Sequence, residues 1–109
     1  MEKRRFPRMA TNLPIGYQVH LQDSVESSTG KGVLENISQG GMYFSCYPPP
    51  WLFKGDIGNF IINTTSVARY PSRLKALGKV VRIEPLARQS ADFGIAVQFL
   101  ANINIELLS

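Results

Sequence analysis

Two stretches of this chain alternate apolar and polar residues with a period of two, and that period leaves little choice of local structure. In "LPIGYQVHL" (13–21), Leu13, Ile15, Tyr17, Val19 and Leu21 share one face, while Gly16, Gln18 and His20 share the other. In "FGIAVQF" (93–99), Phe93, Ile95, Val97 and Phe99 fall on one face in the same way. Successive side chains of a strand point to opposite sides, so each pattern describes a half-buried β-strand. Between them lie "KGVLENIS", "GMYFSCY", "DIGNFIINT" and "LKALGKVVRIE", rich in β-branched or aromatic residues and bounded by Gly, Pro, Ser or Asn. Their alternation is less regular, but length and composition still predict strands, about six in all. No long amphipathic helical pattern competes with them. An all-β domain follows, a sandwich or a closed barrel, and closure has the merit of removing exposed strand edges. "QDSVESSTG" (22–30) reads as a flexible hairpin connection, and the prolines of "YPPPW" (47–51) end a strand by removing backbone donors. "IELLS" at the C-terminus reads as the start of a short helix or as a frayed end.

The chain has 109 residues, which predicts one domain. Its charge is unevenly placed. The first eight residues hold Lys3, Arg4, Arg5 and Arg8 against Glu2 alone, and so supply +3 of the net +4. A nearly neutral body with a basic N-terminal arm points to an anionic partner at the arm, against the simpler reading of a solvated tail. We therefore divide the chain into an arm, 1–10, and a β domain, 11–109. Pro7 biases Phe6 away from helix and keeps that arm extended.

Catalysis finds no support. The eight carboxylates are scattered, and no Ser-His-Asp or Cys-His set is visible. His20 falls on the exposed face of its strand, and Cys46 lies in an apolar strand as a buried, inert thiol. With one cysteine and one histidine, neither a disulfide nor a Cys- or His-based metal site is expected. "STGKG" lacks the earlier glycine and the Ser/Thr of a phosphate loop. The basic start is followed by no apolar segment of a signal peptide, and no apolar run approaches the ~20 residues that cross a bilayer. A cytoplasmic location without membrane insertion is the expectation, which leaves the N-x-S/T sequences at Asn36 and Asn63 as ordinary loop or strand positions.

The segment "ENISQGGMYF" is richer. Asn36, Ser38 and Gly41 are spaced N-x-S-x-x-G, with Gly40 beside the last. Asn offers amide donors and a carbonyl acceptor, Ser a hydroxyl that does either, and glycine a close approach to the backbone. Such a set can read a purine edge, or can simply build a turn. On the arm, Arg4 and Arg8 are spaced R-x-x-x-R.

The two motifs together, R-x-x-x-R and then N-x-S-x-x-G after one strand and a hairpin, resemble the PilZ domain, a bacterial receptor module for cyclic di-GMP. The resemblance runs along essentially the whole chain. It implies a six-stranded antiparallel β-barrel with a flexible basic N-terminal arm. It also implies that Arg4 and Arg8 bind ligand phosphates and guanine edges, and that Asn36, Ser38 and Gly41 hold a guanine against the barrel. Many members carry Asp where this chain has Asn36; the amide carbonyl still accepts. Guanidinium suits both phosphate and guanine O6/N7 through paired hydrogen bonds. Arg5 can stack on a guanine or meet a phosphate. Lys3 stands where the residue type influences whether one ligand or an intercalated pair is bound. Arg82 lies near a place where some members present an aromatic group. No cofactor, no DNA and no reaction on the ligand are implied; a downstream protein partner is. Two rival readings remain at this point: a small barrel for single-stranded nucleic acid, which suits aromatic strands but wants a continuous basic groove, and a PilZ-like interaction module without ligand.

Overall fold

The structure is a computed structural model, and it describes residues 9–49, 51–64, 72–86 and 93–107. The strands are β1 (Met9–Leu21), β2 (Ser27–Ile37), β3 (Gly41–Cys46), β4 (Ile57–Thr64), β5 (Ser72–Pro85), β6 (Phe93–Phe99) and β7 (Asn104–Leu107). All neighbours are antiparallel. The order β4-β1-β2-β3-β6-β5 closes through a β4–β5 ladder, giving a six-stranded barrel. Each of the six barrel strands pairs with two others of the barrel, and the two longest, β1 and β5, divide their length between theirs. β1 meets β2 along most of its length and β4 over Ile15–Leu21. β5 meets β4 over Arg73–Lys79 and β6 over Gly78–Pro85.

The seventh strand corrects the expectation of a C-terminal helix. Because β6 joins β5 only from Gly78 onward, the first residues of β5 would keep an open edge on that side. Residues 104–107 fill it, pairing with Ser72–Lys75. A helix of a few residues has no such ladder and is marginal by itself in water. The connection after β1 is also shorter than "QDSVESSTG": Val19 already pairs with Ser28, so only residues 22–26 lie between strands. β1 begins at Met9, so strand pairing reaches into the segment assigned to the arm. No helix long and apolar enough to cross a membrane occurs among the described residues.

The alternating faces point where the period of two sends them. Ile15, Tyr17, Val19, Ile95, Val97 and Phe99 are buried, and they meet Leu34, Met42, Phe44, Phe60, Ile62 and Val80 in one core. Leu21 and Phe93, at strand ends, are only partly covered and pack on its margin. Cys46 is a buried free thiol, and His20 is exposed. Tyr17 carries a polar group into the core and satisfies it by donating its hydroxyl to the Tyr47 carbonyl at 2.9 Å. Burial, reinforced by Cys46, pushes that phenol up to about 12, so it stays a neutral donor near neutral pH.

A bulged belt and the turn beside it

Three strands depart from regular pairing on one belt of the barrel. The register shifts between Ala10 and Leu13 in β1, between Leu34 and Asn36 in β2, and between Val80 and Arg82 in β5. An extra residue in one strand reverses the in-out parity of everything after it. In β1 the irregularity includes Asn12, held at φ 49°, a left-handed conformation that Asn tolerates better than most residues. In β2 the extra residue is Glu35. Leu34 faces inward, and strict alternation would bury Asn36; with Glu35 inserted, Asn36 turns outward and Ile37 packs on the core instead. In β5 the extra residue is Val81. It sends Arg82 and Glu84 outward and lets Ile83 reach the core margin.

The bulges align a row across the outer surface. Asn36 pairs with Tyr43, Tyr43 with Ala96, and Ala96 with Arg82. Directly opposed residues share a face. Two residues singled out from the sequence, Asn36 and Arg82, therefore lie on one row with Tyr43 between them. Three ladder steps separate their backbones, roughly 14 Å at ~4.8 Å each. The Arg82 guanidinium crosses part of that gap, lying over the Tyr43 ring at 5.7 Å from its centroid. Tyr43 donates its hydroxyl to Glu84 Oε1 at 2.7 Å, and Glu84 Oε2 lies 3.4 Å from Arg82 Nε. Gly94 makes room for the phenol, since a Cβ there would run into the Tyr43 hydroxyl. Burial, then the Glu84 carboxylate, pushes the Tyr43 phenol up to about 12 and keeps it a donor. Tyr43 and Glu84 went unremarked in the sequence. The available signal was Tyr43 itself, an outward tyrosine among the inward Met42, Phe44 and Cys46.

The β2–β3 turn continues the row on one side. Ser38 N–H donates to the Gly41 carbonyl at 2.9 Å, and Gly40 N–H donates to Ser38 Oγ at 3.1 Å. Phe99 N–H donates to the Gly40 carbonyl at 2.9 Å, which ties the turn to the end of β6. Gly41 pairs with Gln98, and a side chain on it would collide with the Val97 carbonyl oxygen. Each member of the N-x-S-x-x-G motif thus has a structural task or a place on the outer row. Ser38 still has its hydroxyl proton to donate, because only its oxygen is used within the turn. We expect Ser38→Ala to lower stability by about 0.5–1.5 kcal/mol through loss of that internal hydrogen bond, read as a shift in the urea midpoint without any ligand present.

Lys3, Arg4, Arg5 and Arg8 lie outside the described residues. The segment that carries them joins the barrel at Met9, and Met9 pairs with Ile37, the residue between Asn36 and Ser38. The point of attachment is therefore fixed at the turn.

The PilZ domain family matches residues 2–109. No curated protein sequence matches the chain. Among solved structures, the Bacillus subtilis inhibitor of motility MotI/DgrA superposes with a TM-score of 0.66 at 16% identity, covering 94% of this chain and 44% of that one. The chain thus spans less than half the length of that protein. The PilZ domain with c-di-GMP of YcgR from Escherichia coli superposes with a TM-score of 0.64 at 20% identity, covering 91% of this chain and 79% of that one. At such identities the likeness is one of fold.

Proposed function

This chain belongs to the PilZ domain family, and on that premise we propose that it is a non-enzymatic cytoplasmic receptor for cyclic di-GMP. The observation that carries the reading is the Met9–Ile37 pairing, which joins the R-x-x-x-R segment to the barrel at the N-x-S-x-x-G turn. The pairing supports the reading by setting the residue that follows the first motif beside the second. Arg4 and Arg8 take the phosphates and guanine edges from the arm side. Asn36, Ser38 and the glycine backbone at Gly40 and Gly41 take a guanine from the barrel side. Arg5 and Lys3 add positive charge, and Arg82 closes the far end of the row. Cyclic di-GMP offers both of the groups that guanidinium recognises through paired hydrogen bonds, phosphate oxygens and guanine O6/N7. One or two ligands are held, and the arm clasps them against the barrel. The altered surface is then read by a downstream protein, a local electrostatic event with a wider consequence.

Isothermal calorimetry tests this directly. Cyclic di-GMP should bind, and more tightly than cyclic di-AMP, GTP or a linear GMP dinucleotide. A flat titration of folded protein at tens of micromolar would remove the reading; tighter binding of a short oligonucleotide would replace it with a nucleic-acid function.

A further inference from the structure

The cluster of Tyr43, Arg82 and Glu84 is unusual for three exposed or half-buried surface residues. Its members come from two strands that are not neighbours, β3 and β5, with β6 between them. One carboxylate serves both partners, taking the Tyr43 hydroxyl on one oxygen and facing Arg82 Nε with the other. The Val81 bulge is what turns Arg82 and Glu84 to this face, and Gly94 is what lets the phenol lie across β6 to reach them. An isolated surface ion pair would not fix an arginine, since such pairs contribute little and exchange readily with water. Here the guanidinium has a ring beneath it and a carboxylate at its Nε, and that carboxylate is itself held by the ring's hydroxyl. Its two terminal nitrogens carry the remaining four N–H donors of the guanidinium.

We propose that Tyr43 and Glu84 are positioning residues for Arg82: together they seat its guanidinium on the Asn36 row, where its remaining donors meet the anionic ligand. The proposal rests on the receptor reading above. It adds to the site a pre-placed arginine on the barrel itself, three ladder steps from Asn36. Pre-placement matters because an arginine side chain otherwise loses rotamer freedom on binding.

The test is a double-mutant cycle read by calorimetry with cyclic di-GMP, using Tyr43→Leu, Arg82→Ala and the pair, with thermal melts of each ligand-free protein. Arg82→Ala should weaken binding by about tenfold, the effect of one charge-assisted contact. Tyr43→Leu should weaken it by about two- to fivefold, the range for a partly exposed cation–π support. In the Arg82→Ala background Tyr43→Leu should have no further effect, which a merely structural role for Tyr43 would not produce. Glu84→Gln repeats the test should Tyr43→Leu not fold, and it too should be silent without Arg82. Equal losses from Tyr43→Leu or Glu84→Gln in both backgrounds would overturn the proposal. So would unaltered affinity of Arg82→Ala in a parent chain that binds, and in that case the receptor reading stands. A parent chain that does not bind cyclic di-GMP removes both.

Discussion

Arg8→Ala should weaken cyclic di-GMP binding by at least tenfold while leaving the melting temperature of the ligand-free protein unchanged. The first half follows from the contact being lost. A guanidinium on a phosphate or on guanine O6/N7 makes charge-assisted, paired hydrogen bonds, each contributing about 1.5–3 kcal/mol. Loss of even one exceeds the ~1.4 kcal/mol that corresponds to a factor of ten. The second half follows from the fold. Arg8 precedes Met9, the first described residue of the β1–β2 ladder, and the described core residues begin only at Ile15, so a polar side chain at position 8 is expected to add little to the stability of the barrel. Ligand normally raises the melting temperature by an amount set by its concentration over the dissociation constant. For Arg8→Ala that rise should nearly vanish at ligand concentrations that saturate the parent. Arg8→Lys separates charge from geometry: lysine keeps the charge but presents no planar fork, so its affinity should fall between the two. Full ligand-induced stabilisation of Arg8→Ala would return the arm to a solubility tail.

The parts of this architecture that were legible in the sequence are those governed by an unbroken period of two. Ile15, Tyr17 and Val19, and likewise Ile95, Val97 and Phe99, alternate without interruption and are buried as the alternation requires. "KGVLENIS" and "LKALGKVVRIE" alternate poorly for a definite reason: each contains a bulge, at Glu35 and at Val81, and parity reverses there. The irregularity that blurs the strand pattern is the one that turns Asn36 and Arg82 to the outer face. The motif N-x-S-x-x-G was visible as spacing, whereas the reason for Gly41, the nearby Val97 carbonyl, belongs to a strand far away in sequence. Tyr43 and Glu84 were invisible for the same reason, being 41 residues apart and joined only by the order β3-β6-β5. Strand β7 has no pattern of its own to read. It exists because β5 begins before β6 can cover it.

The largest effect on stability should come from Phe44→Ala. Phe44 is fully buried at the centre of β3, with Leu34 opposite it on β2 and Ile95 opposite it on β6, and its ring centroid lies 5.8 Å from that of Tyr17. Neighbours on a closed barrel cannot collapse into the space left behind, because each is held by ladders on both sides. A loss of about 3–5 kcal/mol is expected, the range for truncating a buried aromatic. Domains of this kind hold only ~5–15 kcal/mol in total, so the variant should unfold at a much lower urea concentration. The exposed Gln98, on the outer face of the adjoining strand, provides the control: Gln98→Ala should shift stability by no more than about 0.5 kcal/mol. Ligand separates this effect from damage to the site. At a ligand concentration one hundred times the dissociation constant, binding adds ~2.7 kcal/mol to the folded state. Phe44→Ala should therefore regain part of its lost midpoint on adding cyclic di-GMP, but not all of it, whereas Arg8→Ala should gain almost nothing from ligand. Equal midpoints for Phe44→Ala and Gln98→Ala would mean that β3 does not present alternate faces to core and solvent, and the outward placement of Tyr43 would fall with it.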